Sequence, residues 1–290
     1  KVSMRMIAVA SPTSRRSLAL LSPMILRRRI SIAPELTLVP AAIGLTWIDT
    51  PRWPFLMLIA VGVALLSIEW GGMSAPKGPM RAAIAVTGAV LLSMFVAHLG
   101  HPRWGWALMF AGAGVACLVA RKVAARPTDV GYGVLYIAPA AICLIWLRST
   151  HQGVWWTLML FAVTWSADIG AYAVGNLLKG PKLWPRFSPN KTWSGFIGGL
   201  AVATIVGALM SVLSTFELNL WAAAFIGLAV GLATMAGDLW ESALKRRFGV
   251  KDSGDLIPGH GGLLDRVDGL MFAVVVMALA RYANYLGWGH

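Results

Sequence analysis

Charge is what this chain has least of. Only 13% of its 290 residues are Asp, Glu, Lys or Arg, about half of the roughly 25% carried by an ordinary soluble domain. With 58% hydrophobic residues and a mean hydropathy of +0.70, that shortage excludes a soluble globular enzyme, a disordered chain and a nucleic-acid-binding module. A polytopic membrane protein remains. Cysteine is nearly absent as well. Cys117 and Cys143 both lie in apolar runs, so neither a disulfide framework nor a thiolate metal site is expected, and both read as small buried side chains. Acids are scarcer than bases, 12 against 25, for a formal charge of +13. They are also clustered: Asp238, Glu241, Asp252, Asp255, Asp265 and Asp268 place half of them within 31 residues.

The apolar residues fall into about nine spans, at 35–49, 53–69, 82–99, 104–120, 131–148, 153–175, 193–213, 220–240 and 267–287. Several approach the ~20 residues a helix needs to cross the hydrocarbon. The expected fold is therefore all-α, a polytopic transmembrane helical bundle. The first span is the shortest and contains Pro40. Trp53, Trp70, Trp104, Trp146, Trp193, Trp221 and Trp288 stand at span ends, where indole rings favour the membrane interface. Gly195, Gly198, Gly199, Gly227 and Gly231 are read as helix-packing positions. No repeat or linker separates a second domain. The chain divides into a basic tail (1–31), N-terminal helices (32–150) and a C-terminal catalytic region (151–290) of one membrane domain. Residues 17–26, interrupted by Pro23, are too short for a signal-peptide core.

Basic residues orient the bundle. With the N-terminus in the cytoplasm and nine alternating spans, 21 of the 25 Lys and Arg fall on the cytoplasmic side, leaving Arg52, Arg103, Arg148 and Arg281 outside. That is a strong positive-inside bias. It puts the acid-rich 238–268 segment and the basic 176–192 loop on the same face. The count depends on parity, so it requires the short first span. Arg281, in the last span, is expected to snorkel to the far interface.

The polar residues have a common logic. On a helix, Asp238, Glu241, Ser242 and Lys245 share one face. A loop follows whose Gly254, Gly259, Gly261 and Gly262 permit tight turns and close approach of backbone to a ligand. Asp265 and Asp268 then enter the last span three residues apart. Carboxylate oxygens suit Mg²⁺, which takes one or two of them and completes its shell with water and phosphate. Lys and Arg beside them neutralise phosphate charge. The arrangement points to metal-bound polyphosphate handled at a membrane surface. Asp168, isolated deep in the sixth span, is expected near the nucleotide or metal, because an intramembrane acid is seldom idle. Glu69, at the end of the second span, reads as structural.

The run from Ser242 to Asp268, S-A-L-K-R-R-F-G-V-K-D-S-G-D-L-I-P-G-H-G-G-L-L-D-R-V-D, resembles the signature of the phosphatidate cytidylyltransferases, or CDP-diacylglycerol synthases. That pattern is S-x-apolar-K-R, then K-D, then P-x-H-G-G-x-x-D-R-x-D. The resemblance extends to Trp165–Tyr172 and to Ser188–Gly195, with Asn190 standing where the family usually has a second basic residue. It implies the reaction of CTP with phosphatidate to give CDP-diacylglycerol and pyrophosphate, dependent on Mg²⁺ with a possible second cation. By resemblance Asp238, Lys245, Asp265, Arg266 and Asp268 form the catalytic set, and Asp238, Asp265 and Asp268 are the metal ligands. Lys191, Arg246 and Lys251 are expected to join Lys245 and Arg266 in holding the triphosphate or lipid phosphate. Ser188, Thr192, Ser242 and His260 would supply hydrogen bonds, with Gly261 and Gly262 against the substrate. The family further implies membrane lipids as surroundings, a homodimer, and no nucleic-acid partner. Length and the lack of a long soluble extension point to the bacterial inner membrane, with the site facing the cytoplasm.

Two other classes fit less well. An ion-coupled transporter would carry polar residues near the midplane of two related halves, whereas here they gather at one end and no repeat exists. A CDP-alcohol phosphotransferase needs Asp-Gly-x-x-Ala-Arg, but Asp268-Gly269 continues as Leu-Met-Phe-Ala. CTP-dependent prenol kinases lack the P-x-H-G-G block.

Overall fold

The computed structural model describes residues 53–185, 188–213, 218–254, 256 and 261–287. The tail, the expected 35–49 span, Trp288 and His260 lie outside the described residues. The remaining eight expected spans are all helices: α1 (Trp53–Ser74), α2 (Pro79–His98), α3 (Pro102–Ala120), α4 (Pro127–Ser149), α5 (Gly153–Leu178), α6 (Trp193–Leu213), α7 (Leu220–Phe248) and α8 (Leu264–Tyr285). Each is long and apolar enough to cross a membrane, and the chain is an integral membrane protein.

The helix ends differ from the hydropathy spans for local reasons. Helices α2, α3 and α4 start at Pro79, Pro102 and Pro127, two to four residues before the apolar runs. Proline in the first helical turn sacrifices no hydrogen bond and its fixed φ is already helical. Helix α7 continues eight residues past its apolar span. Its 29 residues reach about 43 Å at 1.5 Å per residue, well beyond the ~30 Å hydrocarbon core. It closes on Gly249, whose φ of +74° is left-handed, with Lys245, Arg246 and Arg247 in the last turn against the helix dipole.

Between α5 and α6 the all-α bundle carries one small departure. A basic loop was expected, but β1 (Lys182–Trp184) and β2 (Ser188–Thr192) pair antiparallel, with Lys182 opposite Thr192 and Trp184 opposite Ser188. The hairpin satisfies backbone groups in a connection whose two helices nearly touch at its base, where a Cβ on Gly175 would stand 3.4 Å from the Cα of Gly195. Thr192 then serves as N-cap of α6, its hydroxyl accepting the N–H of Gly195 at 3.2 Å.

Helix α4 runs through the middle of the bundle, buried along most of its length against α1, α2, α3, α5 and α8. One aromatic cluster ties it to its neighbours. Trp70 of α1 lies 5.4 Å from Tyr136, 5.9 Å from Tyr132 and 5.7 Å from Phe248 of α7, measured between ring centroids, and its indole N–H donates to the carbonyl of Asp129 at 2.9 Å. The five glycines read as packing positions all abut other helices: Gly198 meets Val174, Gly199 the carbonyl of Ala167, Gly195 that of Ala171, Gly227 the Cα of Gly207, and Gly231 the side chain of Ala203. Cys117 and Cys143 are both free, the second buried.

Arg281 does not snorkel. It is 9% exposed, donates to Asn284 Oδ1 at 2.7 Å and to the His151 carbonyl at 3.1 Å, and stacks 5.3 Å from the centroid of Trp156. Asn284 of α8 and the α4–α5 turn supply the acceptors that lipid headgroups would otherwise have provided.

Candidate active site

The polar residues of α7, α8, the hairpin and the α7–α8 loop meet at one end of the bundle. Glycine makes that meeting possible. A Cβ on Gly237 of α7 would fall 2.5 Å from the carbonyl of Asp268 and 3.1 Å from the Cα of Gly269 on α8. The two helices therefore cross nearly in backbone contact, and the adjoining Asp238 and Asp268 come within electrostatic range of each other, of Glu241 and of Lys191. Lys191, on β2, forms an ion pair with Asp238. Asp268 accepts the N–H of Gly269 through Oδ1 at 2.7 Å.

Two turns further along α7 from Asp238, Lys245 stands between two carboxylates. Its ammonium donates to Asp265 Oδ1 at 2.6 Å and lies 2.7 Å from Glu241 Oε2. Glu241 is only 1% exposed, and among the described residues its oxygens receive no well-directed hydrogen bond. The Lys245 charge is what compensates it, since a buried carboxylate without a counter-charge is costly. Asp265 Oδ2 also accepts the N–H groups of Ser253 and Gly262, each at 3.0 Å. A carboxylate offers about four lone-pair sites, so these three partners leave Asp265 room for roughly one more.

Beside Asp238 a cavity of about 780 Å³ opens between α5, the hairpin, α6 and α7. Asp168, Lys179, Lys182, Asn190, Lys191 and Asp238 contribute its polar lining. Three lysines and two carboxylates around one cavity suit a polyanion with a hard cation.

The structure gathers some expected residues and separates others. Asp168, Lys191, Thr192 and Asp238 share the cavity. Lys245 and Asp265 form the neighbouring, partly buried cluster. Ser188 on β2 and Ser242 on α7 are half-buried and outside the described lining of the cavity. Arg246 is exposed and donates to the Val250 carbonyl at 3.2 Å, closing its own helix. Lys251 and Arg266 are exposed. Gly261 has a φ of +82°, which only glycine adopts readily. Gly262 is pressed against the side chains of Ser253 and Glu69, so close packing inside the protein requires its missing Cβ.

The expected metal set is not a protein-only cage. Among the described residues no three His, Cys, Asp or Glu side chains group as metal ligands, because Asp265 is committed to Lys245 and two backbone N–H groups while Asp238 faces the cavity. Asp238 and Asp268 remain a suitable pair of hard donors for a cation that draws its other ligands from water and phosphate. Sequence reasoning passed over Lys179 and Lys182, which had counted only toward topology although they lie in the same basic segment as Lys191. Ser253 carried no signal.

Apolar helices that bring scarce carboxylates and lysines to one cavity define an integral membrane enzyme acting on an anionic substrate. The chain matches the cytidylyltransferase family over residues 29–283 and belongs to it; it is a nucleotidyltransferase. It is similar to the protein named phosphatidate cytidylyltransferase of Brucella suis, 39% identical over 255 residues that cover 86% of this chain and 91% of that one. A protein of the same name from Staphylococcus saprophyticus is 42% identical over 150 residues, 51% of this chain and 58% of that one.

Proposed function

We propose that this protein transfers the cytidylyl group of CTP to phosphatidate, giving CDP-diacylglycerol and pyrophosphate for phospholipid synthesis. The observation that carries the reading is the cavity itself, which Lys179, Lys182 and Lys191 line together with Asp168 and Asp238. Phosphatidate brings its own nucleophile. An oxygen of its phosphate forms a bond to the α-phosphorus of CTP while the bond from that phosphorus to the bridging oxygen of the β-phosphate breaks, and pyrophosphate leaves with the electron pair. No strong general base is required, so the protein's task is in-line positioning and neutralisation of charge.

Lys191 is held at the cavity by Asp238 and is well placed to pass from that carboxylate to a phosphate oxygen. Lys245 stays between Glu241 and Asp265 and keeps the end of α8 in register with α7. Asp238 and Asp268 would hold a divalent cation, with Asp265 able to add one bond; such a cation supplies charge neutralisation at the phosphates when bound. Mg²⁺ fits this donor set by hardness and by its habit of keeping water. The bias of basic residues supports a cytoplasmic N-terminus and a site on the cytoplasmic side of a bacterial inner membrane. Homodimer formation rests on the family resemblance alone, and chemical cross-linking in the membrane tests it.

The test uses the full chain in detergent with phosphatidate, Mg²⁺ and labelled CTP. Labelled CDP-diacylglycerol in amounts proportional to protein is expected. None, under conditions where the Brucella suis relative is active, would overturn the proposal.

A further inference from the structure

We infer that Glu69 of α1 is a positioning residue for the reaction site, seating the segment that carries Asp265. Glu69 is 4% exposed, and its carboxylate accepts three hydrogen bonds from the other half of the chain. The N–H of Leu263 donates to Oε1 at 2.7 Å, the N–H of Leu264 to Oε2 at 2.7 Å, and the hydroxyl of Ser253 to Oε2 at 3.2 Å. These are the N–H groups that a helix start leaves unsatisfied. Residue Leu263 at the N-cap of α8 offers no side-chain acceptor, so the cap comes from a helix 194 residues earlier in the chain. A negative charge there is favoured by the dipole of α8. Both flanks of the α7–α8 loop are thereby gripped at one point. Two loop glycines fit the grip: a Cβ on Gly254 would lie 3.1 Å from Glu69 Cγ, and one on Gly262 would lie 2.8 Å from Glu69 Oε2. The same flanks donate to Asp265, through Ser253 N and Gly262 N. Glu69 and Asp265 therefore hold neighbouring atoms of one segment, and moving the first displaces the second together with Lys245.

The activity arm of the test rests on the cytidylyl-transfer reading; a proteolysis arm does not. Glu69→Gln keeps the size but turns an NH₂ group toward one backbone N–H. In full-length protein it is expected to lower kcat about 10²-fold with KM for CTP changing less than about threefold, as for a misplaced catalytic constellation. Trypsin cleavage after Lys251 and Arg266 should accelerate at least about tenfold while cleavage at other sites keeps the parent's rate, since local opening is what proteolysis reads. Glu69→Asp, which keeps the charge, should recover part of kcat. Ser253→Ala, which leaves both N–H bonds, should stay within about threefold of the parent, one neutral hydrogen bond being the weaker contribution. Unchanged kcat and cleavage in Glu69→Gln would overturn the inference. So would general unfolding in both Glu69 variants, which marks a purely structural role. A parent protein inactive on CTP and phosphatidate would count against the proposed function, and the cleavage pattern would then decide on Glu69 by itself.

Discussion

Helices α1–α4 and α5–α8 are all apolar enough to cross a membrane yet are held together by different means. In the first set a glycine usually receives a side chain: Gly133 lies under Trp70, Gly112 against Ala89 and Gly131 against Cys117. Large residues such as Trp70, Ile137 and Leu147 fill the space around α4. In the second set glycine meets glycine, at Gly175 and Gly195, Gly207 and Gly227, Gly237 and Gly269. At the first and last of these crossings polar residues stand beside the glycines, Asn176 and Ser194 at one and Asp238 and Asp268 at the other. The first set is a volume-filled support and the second is a close-packed frame that brings Asp238 and Asp268 together. The support is still not passive. Its two acids among the described residues, Glu69 and Asp129, both bond across to the second set.

The largest expected effect tests whether chemistry is confined to the close-packed frame. Asp238→Asn removes the carboxylate that faces both Lys191 and the cavity. Turnover should fall about 10²–10³-fold, the usual scale for losing one preorganised electrostatic element, with the melting temperature of the detergent-solubilised protein nearly unchanged. Activity within tenfold of the parent would remove Asp238 from the reaction.

A middle-sized effect tests the packing contrast. Gly237→Val drives a branched side chain into the Asp268 carbonyl and should cost about 1–3 kcal/mol by overpacking, read as a lower melting temperature and lower activity per folded molecule. Gly62→Ala in α1 places its methyl where nothing lies within 4 Å. It should be neutral or stabilising by up to about 1 kcal/mol through helix propensity. Equal losses at both sites would erase the distinction between the two sets.

How much of this was legible in the sequence depends on the range over which each feature is encoded. The eight described spans and their order were legible because crossing a membrane imposes a length and a composition on contiguous residues. The 238–268 run was legible because its acids are abnormal in an apolar chain, and the family resemblance sharpened it. The helix starts at Pro79, Pro102 and Pro127 lie ahead of the apolar spans because hydropathy does not register proline's geometry. The reach of Glu69 to Leu263 and Leu264 leaves no local pattern, since a single acid at a span end looks the same whether it faces headgroups or caps a distant helix. Nor does the spacing of Asp265 and Asp268 reveal that the first is already committed to Lys245 and two backbone N–H groups. The hairpin was hidden for a related reason, because two short strands are specified by how closely their flanking helices approach.

The smallest expected effect discriminates between the two crossings that leave the support. Asp129 at the start of α4 pairs with Arg247, whose side chain is 49% exposed, whereas Glu69 is enclosed and bonds to backbone. Surface ion pairs contribute at most about 1 kcal/mol and are screened by salt. The carbonyl of Asp129, which accepts the Trp70 indole N–H, is untouched by a change of side chain. Asp129→Asn should therefore lower stability by less than about 1 kcal/mol and leave turnover within about twofold, and its small deficit should vanish near 1 M salt, where the Debye length is about 3 Å. Thermal unfolding at low and high salt, with activity measured alongside, reads both. If Asp129→Asn instead matched Glu69→Gln in lost turnover, burial and backbone bonding would not be what separates a seat from a surface contact, and the end of α7 would have to be counted as part of the site's support.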